Sequence, residues 1–352
     1  MKVAVAMSGG IDSSVAAILL KDQGYTVTGI TARFLPHTEE NDIIFNKHLH
    51  DAAGIAAALS IPHHVYDFSD DFKKLVIDPF CNEYIHGRTP NPCILCNHTI
   101  KFGLLLDAAE KIGCTMFATG HYALIKKFHD RYCISMGDDA SRDQSYFLCR
   151  LTQQQIRKVL FPLGGLPKTR IREIACKRGV EIHNKPDSQE ICFIPGDDYI
   201  SFIEKNASEK PGPGNITDST GKVLAKHAGI HRFTIGQRRG MGISAPEPLY
   251  VTGIDAAENR IIAGPRHELY VSGLETGDAD NMKYVITDPV SALIKTRSTQ
   301  KPFRGTVTGT GHSFKVVFDE PQTGISPGQT AVFYDAEGDI MGCGTIDLSI
   351  KA

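Results

Sequence analysis

The sequence predicts an α/β N-terminal domain built on a doubly wound parallel sheet, followed by two small, barrel-like β domains. Three observations predict it. The chain opens on a short apolar strand, a glycine loop and a helix; strand and helix patterns then alternate to about residue 120; and a Pro/Gly-rich, turn-dense stretch after Ile194 gives way to evenly spaced short strands. At roughly 150 residues per domain, the 352 residues divide into 1–195, 196–272 and 273–352.

Lys2 to Met7 (KVAVAM) is an apolar run, Ser8-Gly9-Gly10 interrupts it, and Ser13 to Leu20 carries a helical apolar pattern that stops at Gly24. Tyr25 to Ala32 reads as a second strand, Asn46 to Leu59 as a helix with Ala52, Ile55 and Ala56 on its apolar face, and His64 to Phe68 as a third strand. Ile100 to Ile112 is helical, and Thr115 to Ala118 is strand-like before a turn at Gly120. Sheets of this kind bind ligands beyond the C-terminal ends of their strands. Past the turn-rich segment KPGPGNITDSTGK, the runs His231 to Ile235, Leu249 to Ile254 and Arg260 to Ala263 read as strands. Phe303 to Thr310, Ser313 to Asp319, Gln329 to Tyr334 and Ile340 to Ile346 repeat the theme, as in a small barrel.

Apolar residues make up 41% of the chain and charged residues 22%, and the mean hydropathy is -0.16, values of a globular chain rather than a disordered one. No apolar run approaches the ~20 residues of a membrane helix, and the opening lacks the apolar core of a signal peptide. A cytoplasmic protein without a membrane partner is expected. The net charge of -2 hides an uneven distribution: Arg157 to Arg178 has a local balance of +6 and Pro36 to Glu83 one of -6. The first stretch suits phosphates, and two solvated faces account for the pattern equally well.

Nine cysteines in such a chain point to sulfur, metal or redox chemistry rather than to a disulfide framework. Cys81, Cys114, Cys133, Cys149, Cys176 and Cys343 stand in apolar or strand-like surroundings that predict buried structural thiols. Cys93, Cys96 and Cys192 stand in motifs.

The sharpest motif is Ser8-Gly9-Gly10-Ile11-Asp12-Ser13-Ser14, between the first strand and the first helix. Glycines admit close backbone approach, and successive N–H groups with the helix dipole attract an anion, so phosphate binding is expected. No Lys follows the glycines in the Walker A pattern, which disfavours γ-phosphate transfer of that type. The serines can donate to phosphate; Asp12 cannot, and is a candidate metal holder. The second motif, Thr89-Pro90-Asn91-Pro92-Cys93-Ile94-Leu95-Cys96-Asn97, stiffens the chain with prolines and places Cys96 near an expected helix start, where thiolate character is favoured. A single C-x-x-C also fits half a zinc site, a dithiol redox pair or a packed turn. The third, Asp187-Ser188-Gln189-Glu190-Ile191-Cys192-Phe193-Ile194, carries a lone Cys, by itself more often a buried thiol.

SGGIDSS resembles the loop of the PP-loop ATP pyrophosphatases, which cleave ATP between the α and β phosphates to adenylate an oxygen. With the two cysteine motifs, ATGHYA at Ala118 to Ala123, RDQSYFL at Arg142 to Leu148, HRFTIGQRRGMGI at His231 to Ile243 and SPGQTAVFY at Ser326 to Tyr334, the chain resembles the tRNA-specific 2-thiouridylases over nearly its whole length. The resemblance implies replacement of the 2-oxygen of the wobble uridine by sulfur. It implies ATP at Ala6, Met7, Ser8, Gly9, Gly10, Ile11, Asp12 and Ser13, with Ala32 and Gly120 near the adenosine, and Mg²⁺ as the escort of ATP. By the same match Cys96 is the nucleophile and Cys192 the persulfide carrier, and Asn91, Pro92 and Cys93 meet the target base. His121, Arg142, Asp143, Gln144, Arg297, Ser298 and Gln329 match tRNA-contacting positions. The implied partners are the anticodon arm of tRNA and a sulfur-relay or cysteine desulfurase donor, with a monomeric enzyme.

Better-known members carry Asp where this chain has Cys93. Cys93, Cys96 and Cys192 therefore also suit an iron–sulfur cluster with one open iron, the alternative to the persulfide route. From another class, an amide-forming ATP pyrophosphatase would use ammonia and no cysteine; a non-enzymatic RNA-binding chain would not need an intact SGGIDSS loop. Gly240-Met241-Gly242-Ile243-Ser244-Ala245 imitates a dinucleotide fingerprint, but Pro246 and Pro248 follow where its helix would begin, and a loop near RNA suits Gln237 to Gly240 better. His37, His48, His50, His63 and His64 fit no metal-ligand spacing and read as solvated or core histidines.

Overall fold

The computed structural model describes residues 1–180, 191–194, 196 and 198–351. They form two compact units, the first made of Met1–Val76, Cys93–Gln189 and Glu337–Ile340, the second of Ile77–Pro92, Glu190–Ala336 and Met341–Ala352.

The first unit is built on a parallel sheet. Its strands are β1 (Lys2–Ala6), β2 (Thr26–Arg33), β3 (His63–Asp67) and β4 (Met116–Ala118); a hairpin of β5 (Ala123–Phe128) and β6 (Arg131–Met136) stands apart, and β7 (Val159–Leu160) returns to the sheet. The order β3-β2-β1-β4-β7 puts β1 where the winding reverses, with β2 on one side and β4 on the other. That reversal opens a crevice at the C-terminal end of β1. Helix α1 (Ile11–Asp22) buries Val15, Ala16, Ile18 and Leu20 against Val3, Val5 and Val27, so the glycine loop hangs from the best-packed part of the unit. Helix α2 (Glu39–Ala58) starts seven residues earlier than the sequence pattern suggests, because Thr38 caps it by accepting from the Asn41 N–H at 3.2 Å. The helix over Lys168–Lys177 buries Lys168, Ile171 and Ala175. Cys176, expected to be a buried thiol, falls just off that stripe and is exposed; the other five of its group are buried as expected.

The second unit holds the β domains. β8 (Gly214–Thr217), β9 (Val223–His227), β10 (Tyr250–Asp255) and β11 (Arg260–Gly264) form a sheet in the order β10-β11-β8-β9 around Ile216, Val251, Ile261 and Ala263. β12 (Val271–Asn281), β13 (Val290–Lys295), β14 (Phe303–Gly309), β15 (Phe314–Gln322), β16 (Thr330–Tyr334) and β17 (Ile340–Lys351) close a barrel in the order β12-β15-β14-β13-β16-β17, filled by Leu274, Ile294, Val307, Val316 and Phe333. One expected strand is absent: where His231 to Ile235 would begin, the overlapping residues Ile230–Arg232 make a tight helical turn. His231 Nε2 lies 3.2 Å from Glu204 Oε1, Arg232 pairs with the same carboxylate, and His231 is 2% exposed, so two anchors on one side chain bend the backbone there.

Candidate functional site

The loop from Ala6 to Ser13 leaves the end of β1 and enters α1. Met7 stays in register through its N–H to the Ile30 carbonyl (2.7 Å), and Gly9 turns the chain at φ +71°, where an added Cβ would meet the His48 carbonyl oxygen at 2.6 Å. Only glycine fits that turn. Gly10 is the extended residue before α1; Ser13 Oγ donates to its carbonyl at 3.0 Å and accepts from the Ser8 N–H at 3.2 Å, while Ser14 Oγ donates to the same carbonyl at 2.9 Å. Ser13 and Ser14 therefore shape the loop, and the N–H groups of the first helical turn remain as anion donors. Ser8 is exposed at the mouth.

Asp12 is not placed as a metal holder. Its carboxylate takes both oxygens to Lys168 Nζ, at 2.8 and 2.9 Å, and accepts from the Tyr122 hydroxyl at 2.6 Å. Lys168 is 7% exposed, with its ammonium 5.6 Å from the Tyr122 ring centroid. Buried Lys168 thus sets an ammonium, paired with the half-exposed Asp12 carboxylate, beside the start of α1, which motif reading misses; the signal in the sequence is the basic run from Arg157 to Arg178. Other members of that run are engaged within the chain, Lys158 with Glu110, Arg170 with Glu173 and Arg178 with Asp22. Gly120 crosses close above the same turn: an added Cβ would lie 2.8 Å from the Asp12 carbonyl carbon and 2.9 Å from the Ser13 nitrogen. Ala32, on β2 next to β1, is half-buried.

The residues matched to tRNA contacts divide. Asp143 accepts from the Gly137 and Ser145 N–H groups at 3.2 and 3.0 Å and from Ser145 Oγ at 2.9 Å, and Gln144 accepts from the Tyr122 N–H at 3.0 Å. These two brace the loop that aims Tyr122 at Asp12. Arg142 is half-buried. His121 lies against the rings of Phe102 and Phe161, with Nδ1 2.7 Å from Thr119 Oγ1. Burial, helped by the charge of Lys101, holds its pKa well below the ordinary imidazole value, so the ring is neutral at physiological pH. In the barrel, Arg297 is exposed, Ser298 is half-buried, and Gln329 donates to the Thr89 and Pro90 carbonyls at 2.9 and 3.3 Å.

The cysteine segment begins a helix at Pro92, which suits the first position because it has no N–H to satisfy. Cys93, half-buried, is therefore the thiol in the first turn. Cys96, expected near the helix start, sits a turn further in at 7% exposure, where helix Pro92–Cys96 widens into the π-type turns Asn97–Leu104. Asn97 beside it is 2% exposed and donates to the Phe147 carbonyl at 3.0 Å. Asn91, at the last loop position, is half-buried. Cys93 and Cys96 belong to the first unit and Cys192 to the second. Cys192 is exposed on a turn closed by the Ile194 N–H to the Ile191 carbonyl at 2.9 Å, and the turn is anchored by Phe193, stacked edge-on to Phe80 at 5.4 Å. Asp187 to Glu190 of that motif lie outside the described residues, as does Pro195. Among the described residues, no three of His, Cys, Asp and Glu come together as a metal-holding group, and no helix is long and apolar enough to cross a membrane.

A parallel sheet with an anion-binding glycine loop at its switch point, joined to a small β sheet and a closed barrel, defines a nucleotide-handling α/β domain with β appendages. Family profiles match three successive stretches: a tRNA methyl transferase HUP domain matches residues 1–196, a tRNA methyl transferase PRC-barrel domain 200–265 and an aminomethyltransferase beta-barrel domain 266–346. Curated relatives carry a different activity in their names. The tRNA-specific 2-thiouridylase MnmA of Geobacter metallireducens is 42% identical over 99% of this chain and 97% of its own; that of Syntrophotalea carbinolica is 45% identical over 98% of both. The chain belongs to the tRNA-specific 2-thiouridylase family. A solved 4-thiouridine synthetase–RNA complex with bound ATP is similar at 22% identity and a TM-score of 0.39 over 58% of this chain and 50% of that one, too distant a likeness to bear on chemistry.

Proposed function

We propose that this protein is an ATP-dependent tRNA-uridine 2-sulfurtransferase that adenylates the 2-oxygen of the wobble uridine and replaces it with sulfur carried as a persulfide. The observation that carries the reading is the glycine loop at the β1–α1 junction, with buried Lys168 paired to half-exposed Asp12 at its helix start, an arrangement suited to the phosphates of a nucleotide. The uridine 2-oxygen attacks the α-phosphorus, pyrophosphate leaves, and carbon 2 then bears AMP as a leaving group. The loop N–H groups and Lys168 stabilise the charge released on pyrophosphate. Mg²⁺ would accompany ATP, and Asp12 would hold it only if freed from Lys168.

Sulfur delivery uses two thiols with different exposures. Exposed Cys192 takes sulfur from a donor protein as a persulfide, and its terminal sulfur attacks carbon 2, expelling AMP. Cys96 as thiolate then attacks Cys192 Sγ; the S–S bond to the transferred sulfur breaks, the electron pair forms the thiocarbonyl, and a Cys96–Cys192 disulfide remains for an external dithiol to reduce. The base must leave the anticodon stack to meet Asn91, Pro92 and Cys93. Arg142, Arg297 and Ser298 match tRNA-contacting positions, and His121 would meet RNA as an uncharged ring. The alternative to this route is an iron–sulfur cluster, which Cys93, Cys96 and Cys192 would hold and which would carry the incoming sulfur on an open iron.

The test is a thiolation assay with tRNA, ATP and a persulfide donor, alongside iron and acid-labile sulfide in anaerobically purified protein. Activity that is lost in Cys96→Ala and Cys192→Ala and kept in Cys93→Ala, in iron-free protein, is expected. Cluster-level iron that all three substitutions remove along with activity would overturn the persulfide route, and AMP formation with ammonia but no tRNA thiolation would overturn the function.

A further inference from the structure

We propose that the C-terminal barrel sets the position of the base-contacting segment through Gln329 and the Arg88–Asp347 pair, so that these three are positioning residues for the chemical step rather than sources of tRNA affinity. The proposal rests on the function given above. Arg88, Thr89 and Pro90 are the residues that lead into Asn91, and each is tied to the barrel. Arg88 donates to Asp347 Oδ1 at 3.0 Å and to the Ile346 carbonyl at 3.4 Å, while its Nε donates to Glu83 Oε2 at 2.7 Å. The Thr89 N–H donates to the Pro327 carbonyl at 2.8 Å. Gly328, at φ +90°, lets the barrel loop come this near: an added Cβ would meet the Thr89 nitrogen at 2.9 Å.

Gln329 decides between the two roles. A carboxamide has two donor hydrogens, and one nitrogen here serves the Thr89 carbonyl at 2.9 Å and the Pro90 carbonyl at 3.3 Å. Both donors are thus spent on the chain itself, and none is left to read a phosphate or a base. The Gln329 backbone is fixed in turn, its carbonyl accepting from the Ile346 N–H at 2.8 Å. Pro90 and Pro92 remove two backbone torsions from the same stretch, so a shift at Thr89 travels to Asn91 and Pro92 instead of being absorbed. Misplacement of a reacting group by about 1 Å costs up to ~10²-fold in rate. Ground-state contacts to tRNA elsewhere would be unaffected.

The experiment compares Gln329→Glu, Gln329→Ala, Asp347→Asn and Arg88→Lys with the wild-type chain in steady-state thiolation, fitting kcat and KM for tRNA separately, with thermal melts of each protein. Gln329→Glu keeps the shape and replaces two donors by acceptors facing carbonyls. The expected result is a kcat lowered roughly tenfold in Gln329→Glu and Gln329→Ala, with KM for tRNA within about twofold and an unchanged melting profile. Arg88→Lys, which loses the fork that reaches Asp347 and Glu83 together, should show the same split. A raised KM for tRNA at unchanged kcat in either Gln329 variant would make Gln329 an RNA contact and overturn the proposal. Equal loss of kcat and folded protein in all four would also overturn it, as a structural role only. A wild-type chain that fails to thiolate tRNA would overturn the function and this proposal with it.

Discussion

Replacing Lys168 by methionine removes a cation that reaches both oxygens of Asp12, at 2.8 and 2.9 Å, and leaves a similar apolar volume. Breaking a buried ion pair by deleting one partner costs about 3–5 kcal/mol, because the other charge stays behind unpaired. Here the Asp12 side chain is 30% exposed and keeps the Tyr122 hydroxyl at 2.6 Å, so water and one hydrogen bond recover part of that loss. About 2 kcal/mol is the working figure. For a folding unit of this size, ~2 kcal/mol corresponds to a fall in Tm of about 4–8 °C. The catalytic loss should be larger, ~10²–10³-fold in AMP formation, as for other deleted groups that face developing charge. Asp12→Asn removes the countercharge of the Lys168 ammonium and should also destabilise, whereas the double variant should lose ~1–2 kcal/mol less than the sum of the singles. The assays are thermal melting and tRNA-dependent pyrophosphate release at saturating ATP. Additive losses in Tm would show that the pair is not coupled, and wild-type pyrophosphate release by Lys168→Met would refute the assignment of Lys168 to the phosphates.

Two further outcomes follow from burial. His121, His63 and His227 all have pKa values lowered chiefly by burial from the ordinary 6.5, so the unfolded chain binds more protons than the folded one below that pH. Stability is therefore fully present above pH 6.5 and is lost as pH falls below it toward the folded values; urea midpoints should be flat from about pH 7 to 8 and decline from 6.5 to 5, with a shallower decline in His121→Phe, and a pH-independent midpoint would contradict the burial. Timed alkylation of the native protein should label Cys176 and Cys192 first, since both are exposed, and should reach buried Cys81, Cys114, Cys133, Cys149 and Cys343 only on unfolding. Burial also raises the Cys114 pKa and slows that thiol further. Cys176→Ser should change neither stability beyond ~0.5 kcal/mol nor activity, while mass-spectrometric labelling of Cys133 ahead of Cys176 would mean that the hairpin opens in the native state.

What was legible in the sequence is what consecutive residues determine. β1, the glycine loop and α1 occupy a single run of about twenty residues, and strand ends, capping and loop conformation there depend on neighbours. The hairpin of β5 and β6 carries no clear strand signal, because ALIKKF and RYCISM mix charge into their apolar positions and the turn uses His129 at φ +51° in place of glycine. The apolar Ile174-Ala175 ahead of Cys176 suggests a buried thiol, whereas the helical period puts Ile171 and Ala175 inward and Cys176 about 100° from Ala175. The pairings that give the candidate site its chemistry are long-range: Lys168 is 156 residues from Asp12, and Gln329 is 240 from Thr89. Neither has a local pattern to announce it. A basic run looks the same whether its lysines face solvent or one of them is drawn into a sheet crevice, and a glutamine that matches a tRNA-contacting position looks the same whether its amide points outward or into the chain. Only the direction of two N–H bonds separates an RNA contact from a brace, and in this structure those of Gln329 run to Thr89 and Pro90, immediately before the residues that would receive the uridine.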